Sequence, residues 1–178
     1  MTFSSSQYQS AKRVKLLICD VDGVLTDGTV YLDNTDGEFK AFNIKDGLGI
    51  KMLSKSGITV AIITGRNSEV VSRRMKELSV EHFYQGQADK TAAFNDLLEK
   101  LDIGPESVAY VGDDLPDLPL MKRCALSFAP VDASSFVVEK ADYLLTTKGG
   151  RGAVREIAEI LLTAQGKLES LHQEYWPE

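Results

Sequence analysis

Short apolar runs and amphipathic stretches alternate along this chain. Residues 14–19, 59–63, 107–111 and 143–145 are apolar, largely β-branched runs bounded by polar turns, a pattern that reads as strands buried on both faces. Between them, residues 47–55, 68–78, 91–101 and 153–164 carry helical spacing. In the third of these, Ala92, Phe94, Leu97, Leu98 and Leu101 gather on one face, while Asp96, Glu99 and Lys100 lie largely off it. Ser68 stands where an N-cap would open the second helix. Strand–helix alternation predicts an α/β fold, a doubly wound, Rossmann-like parallel sheet with ligands at the carboxyl ends of its strands.

One segment breaks the alternation. Residues 29–42 hold two strand-like pieces around Asn34-Thr35-Asp36-Gly37, and an Asp-Gly step is a strong hairpin signal. A β-hairpin is therefore expected to project just after the first strand. Such a unit is marginal alone in water, so Val30, Phe39 and Phe42 call for a packing partner, either another subunit or the same domain. Residues 1–13 are Ser- and Gln-rich and read as a flexible arm, 14–164 as a single core, and 165–178 as a C-terminal tail.

Composition narrows the function classes. A length of 178 residues suits one domain, and 20 basic against 26 acidic residues give a net charge of −6. That balance argues against nucleic-acid and anionic-membrane partners, which need clustered Lys and Arg. No stretch approaches the roughly 18 apolar residues of a membrane span. The first residues lack the apolar segment of a secretory signal. Of two cysteines, Cys19 lies in the apolar run after Leu16-Leu17-Ile18, where a thiol packs rather than bridges; a reducing, cytoplasmic setting is expected.

Chemistry gathers at the strand ends. Asp20-Val21-Asp22-Gly23 follows the first strand, and two carboxylates one residue apart suit metal ligation, nucleophilic attack or acid/base work. Thr64-Gly65-Arg66 closes the next strand with a hydroxyl, an approachable backbone N–H and a guanidinium, a set that suits a phosphate oxyanion. Gly112-Asp113-Asp114, with Asp117 close behind, ends a third strand. Three such carboxylates repel one another unless a cation sits among them, and Mg²⁺ takes one or two protein carboxylates, leaving room for water and phosphate. Lys90 opens a helix, where the helix dipole disfavours a cation. Each piece alone has a bland reading as a cap, turn or surface charge. All four in order at one edge of a sheet do not.

Together, Asp20-Val-Asp-Gly-Val-Leu-Thr-Asp27, Ile63-Thr-Gly-Arg66, Lys90 and Gly112-Asp-Asp-x-x-Asp117 resemble the four motifs of the haloacid dehalogenase-like phosphatases. The resemblance implies that Asp20 is a nucleophile forming an aspartyl-phosphate. It makes Asp22 the acid and then the base, Thr64 a holder of phosphate oxygens, and Lys90 a counter-charge. Mg²⁺ would be bound by the side chains of Asp20 and Asp113 and the backbone carbonyl of Asp22. No cap domain fits between the motifs. The hairpin, Phe42-Asn-Ile-Lys-Asp-Gly47 and Gly149-Gly-Arg-Gly-Ala-Val-Arg-Glu156 are similar, within that family, to the 3-deoxy-D-manno-octulosonate 8-phosphate phosphatases of lipopolysaccharide inner-core precursor synthesis. That similarity implies a homotetramer whose hairpins meet centrally and whose tail helps cover an adjacent site. It makes Gly65, Arg66 and Arg74 candidates for holding the sugar acid, with Asp46 and Gly47 at the pocket entrance. The 149–152 loop could bind an anion or form a structural turn.

Other readings stay open on the residues. A phosphatase for a related nonulosonate 9-phosphate would share the same core. A phospho-acceptor receiver domain also combines acidic residues, Thr and Lys on a doubly wound sheet, but needs its acceptor Asp on a middle strand; here that strand ends in Thr64. The complete set of Asp20, Asp22 and Lys90 argues against an inactive scaffold.

Overall fold

The computed structural model describes residues 3–34 and 37–177. Its centre is β1 (Leu16–Cys19), four consecutive residues with no exposed surface. Apolar side chains on both faces of a strand can be buried only between two layers of helices, and the sheet is built accordingly. β1 pairs in parallel with β4 (Thr59–Ile63) on one side and with β6 (Val108–Val111) on the other. β5 (His82–Tyr84), β7 (Leu126–Ala129) and β8 (Tyr143–Leu144) complete a six-stranded sheet of order β5-β4-β1-β6-β7-β8, every neighbouring pair parallel. The chain winds outward from β1 in one direction and then restarts beside it in the other. The carboxyl ends of β4, β1 and β6 therefore lie side by side at a switch point, where open α/β sheets bind ligands.

Period-two alternation sends each strand's residues to opposite faces. Leu17 and Cys19 of β1, Val60 and Ile62 of β4 and Ala109 and Val111 of β6 enter one apolar cluster. Covering it are α2 (Ile44–Lys55), α3 (Glu69–Glu77) and α7 (Ala153–Ala164). Leu16, Ile18, Ala61, Ile63 and Tyr110 enter the other, under α4 (Thr91–Leu101), α5 (Leu118–Met121) and α6 (Ser135–Lys140). The doubly wound architecture is as the alternation predicts. Ser68 is the N-cap of α3, its hydroxyl accepting from Val71 N at 3.2 Å.

Three features differ from, or go beyond, the expectations. The start of the chain is no loose arm: α1 (Ser5–Arg13) opens on a capping box in which Gln7 N donates to Ser4 Oγ at 3.2 Å and Ser4 N to Gln7 Oε1 at 2.8 Å. Its one buried residue, Ala11, joins the core, and Gln165 Nε2 donates to the carbonyls of Ala11 and Val14. Second, the tail contains a helix, α8 (Leu168–Tyr175), docked through buried Leu171. Third, β7 and α6 have no counterpart in the apolar pattern. Ser127 interrupts the β7 run, and it is tolerated because both its N–H and its hydroxyl bond Asp142 Oδ2, at 2.8 and 2.7 Å.

The hairpin is present as β2 (Tyr31–Leu32) and β3 (Glu38–Phe39), antiparallel with Tyr31 opposite Phe39; Thr35 and Asp36 of its expected turn lie outside the described residues. The alternative of packing on the same domain holds for one of the three residues. Phe42 folds back onto the domain's own core, whereas Val30, Leu32 and Phe39 stay exposed, Leu32 by 86%. Among the described residues, no helix is long and apolar enough to cross a membrane.

Helix α2 packs tightly against α7. A Cβ at Gly49 would lie 2.9 Å from the Arg155 Cα, so a glycine is what lets the two backbones meet. Gly49→Ala should push the helices apart and cost about 1–3 kcal/mol of stability in urea unfolding, the usual penalty of overpacking. An unchanged unfolding midpoint would show that the interface yields freely.

Candidate active site

Beyond Cys19 the chain leaves the sheet in a tight turn, with the Val21 carbonyl accepting from the N–H groups of Val24, Leu25 and Thr26 at 2.9 to 3.2 Å. Asp20 and Asp22 flank that residue and reach the edge of the sheet. Gly23 adopts φ +90°, and a Cβ there would stand 2.1 Å from Asp113 Oδ2. Only glycine satisfies both conditions, which is how the carboxylate from the end of β6 comes to lie against the turn after β1.

Lys90 ties the strand ends together. It is the N-cap of α4 but makes no side-chain cap; its buried ammonium instead donates to Asp20 Oδ1 and to Asp117 Oδ1, both at 2.7 Å. The Tyr110 hydroxyl also donates to Asp117 Oδ1, at 2.6 Å, while Asp117 Oδ2 accepts from the N–H groups of Asp113 and Asp114 at 3.0 and 3.2 Å. Oxygens of Asp20, Asp113 and Asp117 come within 4.8 Å of one another, close enough to share a cation. The three are not equivalent. Both Asp117 oxygens are committed to Lys90, Tyr110 and the loop backbone, so Asp117 holds the lysine and shapes the loop. Asp20 and Asp113 are left as the carboxylates suited to Mg²⁺.

Electrostatics favour the same assignment. Burial, reinforced by Asp117 and outweighing Lys90, pushes the Asp20 carboxyl up to about 6. Burial, with repulsion from Asp20, Asp117 and Asp114, pushes Asp113 up to about 7. Burial works against the Lys90 ammonium, but Asp20 and Asp117 overcome it and raise its pKa. An acidic site with one ammonium for three carboxylates is short of positive charge, and an oxygen-liganded divalent cation supplies what is missing.

Thr64, buried at the end of β4, is fixed by its own backbone: its N–H donates to the Tyr84 carbonyl at 2.9 Å and its carbonyl accepts from Gln87 N at 3.0 Å. Asp20, Asp22, Thr64, Gly65, Arg66, Lys90 and Asp113 all line one cleft of about 510 Å³. A second cleft of about 380 Å³ beneath the hairpin adjoins it through Arg66.

Three candidates do not reach the cleft. Asp46 is buried in α2, its Oδ1 accepting from Arg155 N at 2.9 Å and its Oδ2 from Gly152 N at 3.1 Å, so it caps the N-terminus of α7. The 149–152 loop accordingly serves as a turn; Gly150 N donates to the Val24 carbonyl at 2.8 Å and braces the segment after β1. Gly47 faces α3, where a Cβ would sit 2.6 Å from Arg74 Nη2. Arg74 pairs with Glu77 at 2.9 Å and lies over the Phe42 ring. Their sequence spacing gave no sign of this, because it depends on how α2 packs between α3 and α7. One cleft neighbour had no sequence signal at all: Lys40, just after β3, reaches back from the hairpin to contact Asp22.

The chain matches the haloacid dehalogenase-like hydrolase family over residues 49–124. It is 52% identical over 166 residues to the 3-deoxy-D-manno-octulosonate 8-phosphate phosphatase of Escherichia coli strain K12, a match covering 93% of this chain and 88% of that one. The crystal structure of a probable YrbI family phosphatase from Pseudomonas syringae pv. phaseolica superposes with a TM-score of 0.96 at 48% identity, covering 98% of this chain and 99% of that one. The 3-deoxy-D-manno-octulosonate 8-phosphate phosphatase of Moraxella catarrhalis, solved with magnesium, phosphate and KDO, superposes with a TM-score of 0.94 at 42% identity, covering 97% and 99%.

Two outcomes follow from these contacts. Asp20 and Asp113 hold protons more tightly in the folded metal-free protein than in the unfolded chain, where a carboxyl titrates near ~3.9. Stability from these two groups is therefore highest at low pH and falls as pH rises towards about 7. Mg²⁺ should relieve that penalty, raising the Tm more at pH 8 than at pH 5; an equal rise at both would mean that neither carboxylate meets the ion. Asp46→Ala should cost about 1–3 kcal/mol in urea unfolding, because two buried N–H donors lose their acceptor. Its Mg²⁺ affinity should stay as in the parent, whereas weakened binding at full stability would return Asp46 to the cleft.

Proposed function

This chain belongs to the haloacid dehalogenase-like hydrolases, and from that premise we propose that it is a Mg²⁺-dependent phosphatase of 3-deoxy-D-manno-octulosonate 8-phosphate. The observation that carries the reading is the buried Lys90 bond to Asp20 in a cleft shared with Thr64, Asp22 and Asp113. The Moraxella catarrhalis relative, solved with Mg²⁺, phosphate and the sugar acid, supports the substrate class.

The residues divide the reaction between them. Asp20 attacks phosphorus as the bond to the sugar's ester oxygen breaks, forming an aspartyl-phosphate. Asp22 delivers a proton to the departing alkoxide. It then takes a proton from water, whose oxygen attacks the same phosphorus and releases phosphate and the Asp20 carboxylate. Thr64 and the Gly65 N–H hold phosphoryl oxygens, and Lys90 offsets negative charge on Asp20 and the phosphoryl group. Asp20, Asp113 and the Asp22 carbonyl would hold Mg²⁺, which supplies charge compensation where nucleophile and phosphate meet. Phosphoryl transfer is accelerated chiefly by such positioning and charge stabilisation.

Arg66, at the join of the two clefts, offers a guanidinium fork to the sugar acid's carboxylate. Arg74 lies outside the cleft, so any role in binding would be towards another subunit. A homotetramer accounts for the exposed Val30, Tyr31, Leu32 and Phe39 of the hairpin, an apolar set that water alone would not favour. Between the first motif and Lys90, the described residues hold only the hairpin, α2, β4, α3 and β5, none of them a cap domain. Two unbridged cysteines, Cys19 and Cys124, suit a reducing cytoplasm.

The test is phosphate release from 3-deoxy-D-manno-octulosonate 8-phosphate with Mg²⁺, beside a chelator control and a nonulosonate 9-phosphate. Release should require the metal and prefer the octulosonate, and Asp20→Asn should abolish turnover. Preference for the nonulosonate would keep the chemistry and change the substrate. Full turnover by Asp20→Asn would remove the aspartyl-phosphate.

A further inference from the structure

Lys40 is out of place for a residue on a projecting hairpin. The hairpin's strands are two residues long and largely exposed, yet the Lys40 side chain is only 3% exposed. Its ammonium contacts Asp22 Oδ1, and Glu38 Oε1 lies 3.6 Å away. Glu38 is held in turn, its Oε2 accepting from the Ser68 hydroxyl at 2.6 Å. Ser68 is itself fixed as the N-cap of α3, with its N–H donating to Gln85 Oε1 at 2.8 Å. A continuous chain of polar contacts thus runs from the start of α3, through the hairpin, to Asp22.

Drawing a lysine inward costs rotamer freedom and hydration of the ammonium, a cost offset only where fixed partners meet it. On the other side, Asp22 stands on the turn after β1 with a quarter of its side chain exposed. A carboxylate so placed has several rotamers open to it, of which acid/base work can use few.

We propose that Lys40 is a positioning residue for Asp22: it grips one carboxylate oxygen and leaves the other for the leaving-group oxygen of the substrate. The proposal rests on the reading of Asp22 as the general acid and base. It makes the hairpin part of the catalytic apparatus as well as a contact surface, since displacing β3 would withdraw Lys40 from Asp22.

The test is the leaving-group dependence of kcat/KM, which reports phosphorylation of Asp20 without the later hydrolysis that both esters share, in the full-length, Mg²⁺-loaded enzyme. A sugar phosphate releases a poor alkoxide that needs a proton, whereas p-nitrophenyl phosphate releases a stable phenolate that does not. Asp22→Asn should lose about 10²-fold or more in kcat/KM on the sugar phosphate and far less on the aryl ester. Lys40→Met should show the same bias in kcat/KM at about 10- to 100-fold, as a misplaced catalytic group does. Added to Asp22→Asn, it should cost nothing further, because the group it positions is already gone. Glu38→Gln, which loosens the lysine's second partner, should show a smaller bias of the same sign and serves if Lys40→Met does not fold. If Asp22→Asn shows no bias, the acid role itself fails. If Asp22→Asn shows the bias but Lys40→Met and Glu38→Gln slow both esters equally, Lys40 merely supports the hairpin and the proposal is overturned.

Discussion

The site rests on one buried ammonium. Lys90 lies between Asp20 and Asp117, and three otherwise separate pieces of chain, the end of β1, the loop after β6 and the start of α4, are held in one place by it. Buried charges persist only when their partners are complete, and breaking such a set by removing one member typically costs about 3–5 kcal/mol. Asp117 shows how completeness is reached: its two oxygens receive Lys90, Tyr110 and two backbone N–H groups. The same arrangement leaves Asp20 and Asp113 undercompensated, which is the state that favours a divalent cation.

Sheet topology makes this economical. Parallel strands that wind outward from β1 in both directions bring three carboxyl ends together, so residues far apart in sequence become neighbours without any long loop. Packing on the far side of the sheet supports the turn after β1 indirectly. Asp46 caps α7, the 149–152 loop is held in place, and Gly150 bonds the Val24 carbonyl. Asp46, which looks like a pocket-entrance residue in sequence, thus serves as a helix cap.

On the proposed reading, the hairpin would join two roles that are usually separate. Its exposed apolar residues suit contact with other copies of the chain, while Lys40 and Glu38 link it to Asp22 and to α3. Subunit contact and the orientation of an acid/base carboxylate would then share one small element.

The amino-acid sequence by itself determined the sheet, most of the helices and the central cluster of Asp20, Asp113 and Lys90. Those features are written in local signals: unbroken apolar runs, helical spacing, and polar residues placed directly after strands, where the chain must emerge at the ligand-binding edge. Capping chemistry hid α1, because a Ser-x-x-Gln box in a polar stretch resembles an arm, and a single Ser127 hid β7 behind a hydrogen bond to Asp142. Only the tertiary structure decided what Asp117 holds, the placing of Asp46, Gly47 and Arg74 outside the cleft, and the arrival of Lys40. Each depends on which neighbour a side chain meets across the fold. Residue type and spacing carry no record of that, because hydrogen-bond partners 18 to 109 positions apart are set by packing.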